Sequence, residues 1–349
     1  MINLILATGG ILVLVALFLI FRIYTLVGVA KSDGKEYKPV DNANKINAAL
    51  LGLTITGMLI GASWYSFKYF DEYTIPVASE HGVMVNQLFW VTMAVTGIVF
   101  IITHILLFVF SYKYSFKENA VAKFYPDNDK LEIAWTVVPA IALAVLIFFG
   151  LFTWNDMTAK APENAEVVEI MGYQFAWKAR YPGKDNKLGD YDYKKIDAVN
   201  LFGMDLSDKS SFDDFVPREI HLPKGKPVEF KIRARDVIHS VYAPHFRLKM
   251  DAVPGMPTRF GFVPTKSTEE MRQETGDPEF NYEIACTEVC GRGHFSMRIL
   301  VVVDEPEEYE KWKASQKSWL SKNPEYITSV PEDLKELALL KTGAVTASN

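Results

Sequence analysis

The segment Cys286-Thr287-Glu288-Val289-Cys290-Gly291-Arg292-Gly293-His294-Phe295-Ser296-Met297 gathers two thiols, an imidazole and a thioether into one short stretch. Strand-like sequence lies on both sides of it: Asn281-Tyr282-Glu283-Ile284 before and Arg298-Ile299-Leu300-Val301-Val302-Val303 after. Upstream, Val167–Ile170, Val228–Arg233 and Arg259–Val263 carry the same β-branched and aromatic alternation, and Pro/Gly turns such as Leu222–Pro227 separate them. Short alternating strands with frequent turn signals predict an antiparallel sandwich or barrel over residues 164–304. Within it, Lys184 to Phe215 is rich in Asp, Lys, Gly and Ser and reads as a solvated insertion. Residues 305–349 read as a helical, polar tail, with Glu305-Pro306-Glu307-Glu308 starting a helix over Tyr309–Leu320.

The other half of the chain is of a different kind. Hydrophobic residues make up 49% of the sequence and charged ones 23%, which suggests two separate territories. Ile2–Val29, Ile46–Phe67, Gly82–Tyr112 and Ile133–Asn155 are long and almost free of charge. A bilayer core needs about 20 helical residues, so four membrane helices are expected. They group as two N-terminal helices in residues 1–80 and a hairpin in residues 81–156. The first run is expected to stay as a helix. It is too long for a secretory h-region, it has no basic n-region, and no small-residue cleavage site follows Arg22.

Lysines in the loops set the orientation. Lys31, Lys35, Lys38 and Lys45 follow the first helix, and Lys113, Lys117, Lys123 and Lys130 follow the third. Lys68 to Gln87 carries only Lys68. The first and third loops are therefore inside, and the N-terminus and the β domain lie outside. The net charge of −5 contains no basic tract, so nucleic acid is not an expected partner.

Cys286 and Cys290 are the two cysteines of the chain. A disulfide between them closes so small a ring that it removes little unfolded-state entropy, and it gives His294 and Met297 no purpose. A zinc site has no use for a thioether, and a mononuclear blue-copper site leaves one thiol surplus. A dinuclear copper site uses every group. Two thiolates bridge both metals, an imidazole caps each, and Met297 is a weak ligand. The second imidazole has to come from another strand, and His239, in Asp236-Val237-Ile238-His239-Ser240, is the best candidate.

Together with Lys249-Met250-Asp251-Ala252-Val253-Pro254-Gly255, these motifs resemble subunit II of cytochrome c oxidase, from the third membrane helix to about Asp304. The resemblance implies a C-terminal all-β, cupredoxin-like Greek-key barrel with the dinuclear copper centre CuA. It assigns Cys286 and Cys290 as bridges, His239 and Met297 to one copper, and His294 and the carbonyl of Glu288 to the other. The Glu288 carboxylate would reach a magnesium ion shared with subunit I. The expected partners are the haem-containing subunit I, other oxidase subunits and a c-type cytochrome, soluble or held in a supercomplex. The expected location is the bacterial plasma membrane. The chain would be the electron-transfer subunit of a proton-translocating oxidase, with the oxygen chemistry in subunit I. The rival reading is a membrane-tethered protein that delivers or senses copper.

The resemblance marks three further positions. Glu132, in Leu131–Pro139, matches an acid at the mouth of a proton-uptake path. By its residues alone it reads rather as an interfacial acid at a helix N-terminus. Gly172–Trp177 matches a segment in which an exposed tryptophan receives electrons, but Phe175 stands at that position here. Trp177 also matches a family tryptophan and fits a barrel-core aromatic as well. His81 and His221 read as surface or turn residues, and His104 as a partner for a neighbouring helix. His245 stands where the family has no ligand, Met250 and Met256 read as packing residues, and Asp251 is a candidate for the subunit I contact. There is no Cys-x-x-Cys-His, so no fused c-type haem is expected.

Overall fold

The computed structural model describes residues 2–30, 41–115, 121 and 123–343. Lys31, Lys35, Lys38 and Lys117, which bear on the orientation argument, lie outside these residues. The apolar runs form the helices α1 (Ile2–Ala30), α2 (Asp41–Lys68), α4 (Glu80–Lys113) and α5 (Asp129–Thr158), with a single turn, α3 (Phe70–Tyr73), between α2 and α4. Among the described residues, three helical stretches are long and apolar enough to cross a membrane: Asn44–Lys68, Glu80–Lys113 and Asp129–Thr158. In α1 the described apolar stretch is the shorter Gly9–Tyr24. Almost none of the apolar surface of the three long helices is covered by the chain itself, as expected for side chains whose solvent is lipid.

The start of α5 is well specified. The Asn128 side chain accepts a hydrogen bond from the Leu131 N–H, and Asp129 and Glu132 occupy the first turn, where helix dipoles favour acids. The chain divides into two compact units. One holds the residues up to Lys68 with Gly97–Asp127, and the other holds Tyr69–Thr96 and everything from Asn128 onward. The first turns of α4 thus belong to the same unit as the β domain. Hydrogen bonds hold them there: the Ala78 N–H donates to the His245 carbonyl, Ser79 Oγ to the Phe246 carbonyl, and the Glu80 N–H to the Val263 carbonyl.

The β domain is a two-sheet sandwich. Strands β1 (Glu166–Tyr173), β2 (Ala176–Arg180), β3 (Ile220–Pro223), β4 (Val228–Ala234), β5 (His239–Ala243), β6 (Leu248–Ala252), β7 (Thr258–Phe262), β8 (Tyr282–Cys286) and β9 (Arg298–Asp304) form it, with helix α6 (Thr268–Thr275) between β7 and β8. One sheet has the order β2-β1-β4-β7 and the other β3-β9-β8-β5-β6. Pairing is mostly antiparallel as expected, but β1 runs parallel to β4 and β3 parallel to β9. Period-two alternation sends Val228, Phe230 and Ile232 inward from one sheet and Tyr282, Ile284 and Cys286 inward from the other. The pleat that builds the core therefore also aims the first cysteine into it.

Four expectations need correction. The Lys184–Phe215 insertion is not merely solvated: Phe202, Met204, Leu206 and Phe212 are buried and pack with Trp319, Leu320, Val330 and Ala338 of the C-terminal tail in a second core. Each fully buried side chain of this size contributes about 1.5–3 kcal/mol, enough to order a segment whose composition reads as polar. The tail breaks its helix early, into α7 (Pro306–Ser315), α8 (Trp319–Lys322) and α9 (Glu332–Thr342). His81 and His221 are buried, not exposed. His81 lies edge-on to Phe260. His221 stacks on Trp312 between Asp304 and Glu219. Met250 is in the core as expected, whereas Met256 is exposed.

A buried ionic cluster joins the first sheet to the insertion. Glu169 accepts from Arg180 Nε and Arg233 Nη1, both at 2.5 Å, and Arg180 also reaches Asp214 Oδ2 at 3.1 Å and the Gly189 carbonyl at 3.0 Å. The Tyr191 ring lies 3.3 Å from the Arg233 guanidinium carbon. Removing one member leaves buried charge unpaired, at a cost of about 3–5 kcal/mol. Glu169→Ala is therefore expected to lower the stability of the full chain in detergent by about that amount. Urea denaturation followed by tryptophan fluorescence measures it, and a loss below about 1 kcal/mol would class the cluster with solvent-screened surface pairs.

Candidate metal centre

Cys286 ends β8 and Met297 immediately precedes β9, so the donor-rich loop connects two paired neighbouring strands. The Cys286 N–H donates to the Met297 carbonyl at 3.1 Å and closes the loop at its base. His239 opens β5, whose Val241 is paired with Cys286 across the ladder. That registry brings a residue far away in sequence to the cysteines. Strand β4 ends at Ala234, and His239 begins a strand of its own.

The donor atoms converge. Cys286 Sγ lies 3.9 Å from Cys290 Sγ, 3.9 Å from His239 Nδ1 and 3.3 Å from the Glu288 carbonyl oxygen. Cys290 Sγ lies 3.7 Å from His294 Nδ1 and 3.9 Å from Met297 Sδ. The ligand atoms of His239, Cys286 and Cys290 all fall within 4.8 Å of one another. Metal–sulfur bonds of about 2.3 Å let two donors share an ion when they are up to about 4.6 Å apart, and each neighbouring pair meets that limit. The sulfurs are too far apart for a disulfide, which needs about 2.05 Å, and both cysteines are free. Soft thiolates and a thioether with imidazoles are a donor set suited to copper.

Burial, with Cys286 alongside, pushes the Cys290 thiol up to about 11. In the metal-free protein it therefore holds its proton at neutral pH, and a metal must displace that proton to bind.

The imidazole of His239 is fully buried and its Nε2 faces Asp236 Oδ1 at 2.8 Å, which leaves Nδ1 towards the sulfurs. Asp236 is itself held. Burial favours its neutral form, but donors from the Gln174 N–H, His239 and the Val237 N–H outweigh this and lower its pKa. Gln174 Nε2 also donates to the Cys290 carbonyl at 2.6 Å. The β1–β2 turn thus braces His239 through Asp236 and the cysteine loop directly. Sequence reasoning assigned neither Gln174 nor Asp236 a role. Only the position of Asp236, three residues before His239, offered a signal.

Phe175 is 38% exposed and lies on the cysteine loop. A Cβ at Gly293 would sit 2.5 Å from its Cγ, and one at Gly291, where φ is +135°, would sit 2.8 Å from Cε1. Both glycines are needed for this ring to lie flat on the loop. Trp177 is buried, edge-on to His239 at 5.8 Å, in space that a side chain at Gly172 would take. The Glu288 side chain is exposed while its carbonyl faces Cys286. Asp251 accepts from Ser240 on the neighbouring strand and from Lys249 on its own. His245 is not among the donors, since its ring packs against Phe280 and Tyr282. His104 bonds to the Phe100 carbonyl of its own helix and, among the described residues, not to a neighbouring helix. Glu132 is exposed in the first turn of α5 and takes no part in the donor cluster.

Residues 166–304 match the family profile "Cytochrome C oxidase subunit II, periplasmic domain", and residues 62–171 match "Cytochrome C oxidase subunit II, transmembrane domain". The chain belongs to the cytochrome c oxidase subunit II family. It is 35% identical to the alternative cytochrome c oxidase subunit 2 of Bradyrhizobium diazoefficiens, over 70% of this chain and 84% of that one. It is 29% identical to cytochrome c oxidase subunit 2 of Thermostichus vulcanus, over 68% and 76% respectively. It is 32% identical to the probable subunit 2 of Rickettsia felis, over 69% of each chain. The subunit is therefore a membrane protein and part of a haem–copper oxidase, and its C-terminal sandwich is the cupredoxin-like domain of the family.

Partners that orient a ligating imidazole are worth about 10–100-fold in metal affinity. Asp236→Ala is accordingly expected to weaken copper binding by about that factor, measured on the full chain by competition with a chelator of known affinity. Unchanged affinity would show that Asp236 only shapes the turn.

Proposed function

We propose that this subunit receives single electrons from a c-type cytochrome on the periplasmic side of a bacterial plasma membrane and passes them to haem in subunit I. The observation that carries the reading is the convergence of His239, Cys286, the Glu288 carbonyl, Cys290, His294 and Met297 through neighbouring separations of 3.3–3.9 Å. In this reading Cys286, Cys290, His239, His294, Met297 and the Glu288 carbonyl would hold two copper ions. Bound there, copper would supply a one-electron store whose charge is spread over both metals, so that little rearrangement would accompany transfer. The protein's part is to keep the donors still. Buried Trp177 and the Asp236 carboxylate hold His239, Gln174 holds the Cys290 carbonyl, and the β8–β9 ladder fixes both ends of the loop.

Two acids extend the proposal. The exposed carboxylate of Glu288 suits a magnesium ion shared with subunit I, since magnesium is commonly held by one or two carboxylates. Glu132 suits proton uptake into subunit I, because acids at membrane edges serve proton relays. Reduction of oxygen and proton translocation then belong to the complex.

Copper-loaded full-length chain is expected to contain two copper ions and to give the EPR pattern of one unpaired electron shared by both. Cys290→Ser should abolish the sharing. A blue, single-copper spectrum from the parent chain would overturn the reading. In the assembled oxidase, Glu132→Gln is expected to slow turnover with cytochrome c by about 10-fold or more, less than the roughly 100-fold minimum for a group that transfers a proton in the transition state, while the copper EPR signal stays unchanged. Turnover equal to the parent's would leave Glu132 an interfacial acid only.

A further inference from the structure

On the membrane-facing side of the β domain, away from the metal donors, a groove of about 1200 Å³ runs between the segment Phe70–Val77, the start of α4 and strands β5 and β6. It exceeds the roughly 300–1,000 Å³ of pockets for compact small molecules, which suits an elongated occupant. One wall is aromatic: Trp90 contacts Phe70 at 5.7 Å and Phe89 at 5.2 Å between ring centroids, and all three are exposed. Phe89 and Trp90 stand where α4 passes from the polar Asn86 and Gln87 into its uncharged stretch. That is the level at which tryptophan marks the bilayer interface.

The charges in the groove are unevenly answered. Lys249 pairs with Asp251 at 3.0 Å and Glu274 with Lys266 at 2.5 Å. Arg247 has no carboxylate partner among the described residues. Its guanidinium donates only to neutral oxygens: Asn86 Oδ1 at 2.8 Å, the Pro244 carbonyl at 2.6 Å and the Ile75 carbonyl at 2.7 Å. The residue is also held in the left-handed region, at φ 52°, where a non-glycine costs about 1 kcal/mol or more. Asp71, on the same groove, likewise has no cationic partner among the described residues. One unneutralised cation, one unneutralised acid and an aromatic wall at the bilayer edge are the complement of a zwitterionic amphiphile.

We propose that this groove is a binding site for an amine-bearing phospholipid. Its phosphodiester faces Arg247, its ammonium faces Asp71, and an acyl chain lies along Phe70, Phe89 and Trp90. The bidentate fork of arginine suits phosphate, and the aromatic rings offer the chain an apolar wall that continues into the membrane.

The test uses the full-length chain in mild detergent, given equal amounts of dioleoyl phosphatidylethanolamine and dioleoyl phosphatidylglycerol, and read by native mass spectrometry. One phosphatidylethanolamine per chain is expected to survive activation that strips detergent and phosphatidylglycerol. Arg247→Gln should reduce its retention about tenfold, equivalent to about 1.4 kcal/mol. Asp71→Asn, an exposed position outside the packed core, should keep a bound lipid but lose the preference for the amine headgroup. It therefore tests the proposal even if Arg247→Gln loosens its loop. Retention unaffected by both substitutions, or equal retention of the two lipids by the parent chain, would overturn the proposal. So would an intact oxidase in which another subunit crosslinks to Trp90 and no lipid is retained, because the groove would then be a protein interface.

Discussion

Two buried sulfur atoms 3.9 Å apart, each with its own imidazole and weak donor beside it, set the demand that the rest of the β domain answers. Thiols, imidazoles and a thioether have no strong mutual attraction that would gather them. Their positions come from the backbone: β8 and β9 fix the ends of the loop, and the β5–β8 ladder delivers His239. The Gln174 turn then locks both parts by hydrogen bonds to Asp236 and to the Cys290 carbonyl. A one-electron site benefits from this rigidity, because any shift of ligands between oxidation states adds to the barrier for transfer. The sandwich serves as a frame that excludes water from one side of the donors and keeps them in place.

Much of this was legible in the sequence, for identifiable reasons. The loop from Cys286 to Met297 is local, so its spacing could be read directly. Strands β1, β4, β7, β8 and β9 are rich in Val, Ile and Phe, and five runs of that kind were expected where they occur. Strands β2, β3, β5 and β6 were missed. Ile220–Pro223 is short and ends in proline, while His239–Ala243 and Leu248–Ala252 carry few β-branched residues. Their strand form comes from partners across the sheet, which no local window contains. The parallel pairings β1–β4 and β3–β9 are hidden in the same way, because register is a property of two segments. Gln174 and Asp236 went unassigned because their role exists only once the β1–β2 turn meets the β4–β5 connection. The His239 imidazole could be guessed by counting the ligands required, but the groups that orient it could not.

The insertion shows the opposite failure. Lys184–Phe215 has the composition of a loop, and most of its Asp and Lys residues do face water, the buried Asp214 excepted. Its few apolar residues, Phe202, Met204, Leu206 and Phe212, find partners in Trp319 and Leu320 of the tail. Neither segment alone holds enough apolar surface to fold. Together they close a second core over the β1 face, with Glu169, Arg180 and Arg233 as the ionic seam. That arrangement turns a C-terminal tail into a fixed part of the domain.

Phe175 and Trp177 divide between them the work of a surface and of a support. Trp177 is enclosed and presses on His239, so it acts on the geometry of one imidazole. Phe175 reaches solvent and lies on Gly291 and Gly293, so a partner that covers it comes against the loop carrying Cys290 and His294. A phenyl ring keeps the flat apolar contact of an indole but gives up the N–H donor. What the exchange removes from this surface is a directional hydrogen-bond donor, not the contact of the ring with the cysteine loop. Were a redox partner to dock at this surface, as the proposed function requires, it would depend on apolar fit around Phe175, and the specificity that an indole donor would supply would have to come from polar groups elsewhere on the rim.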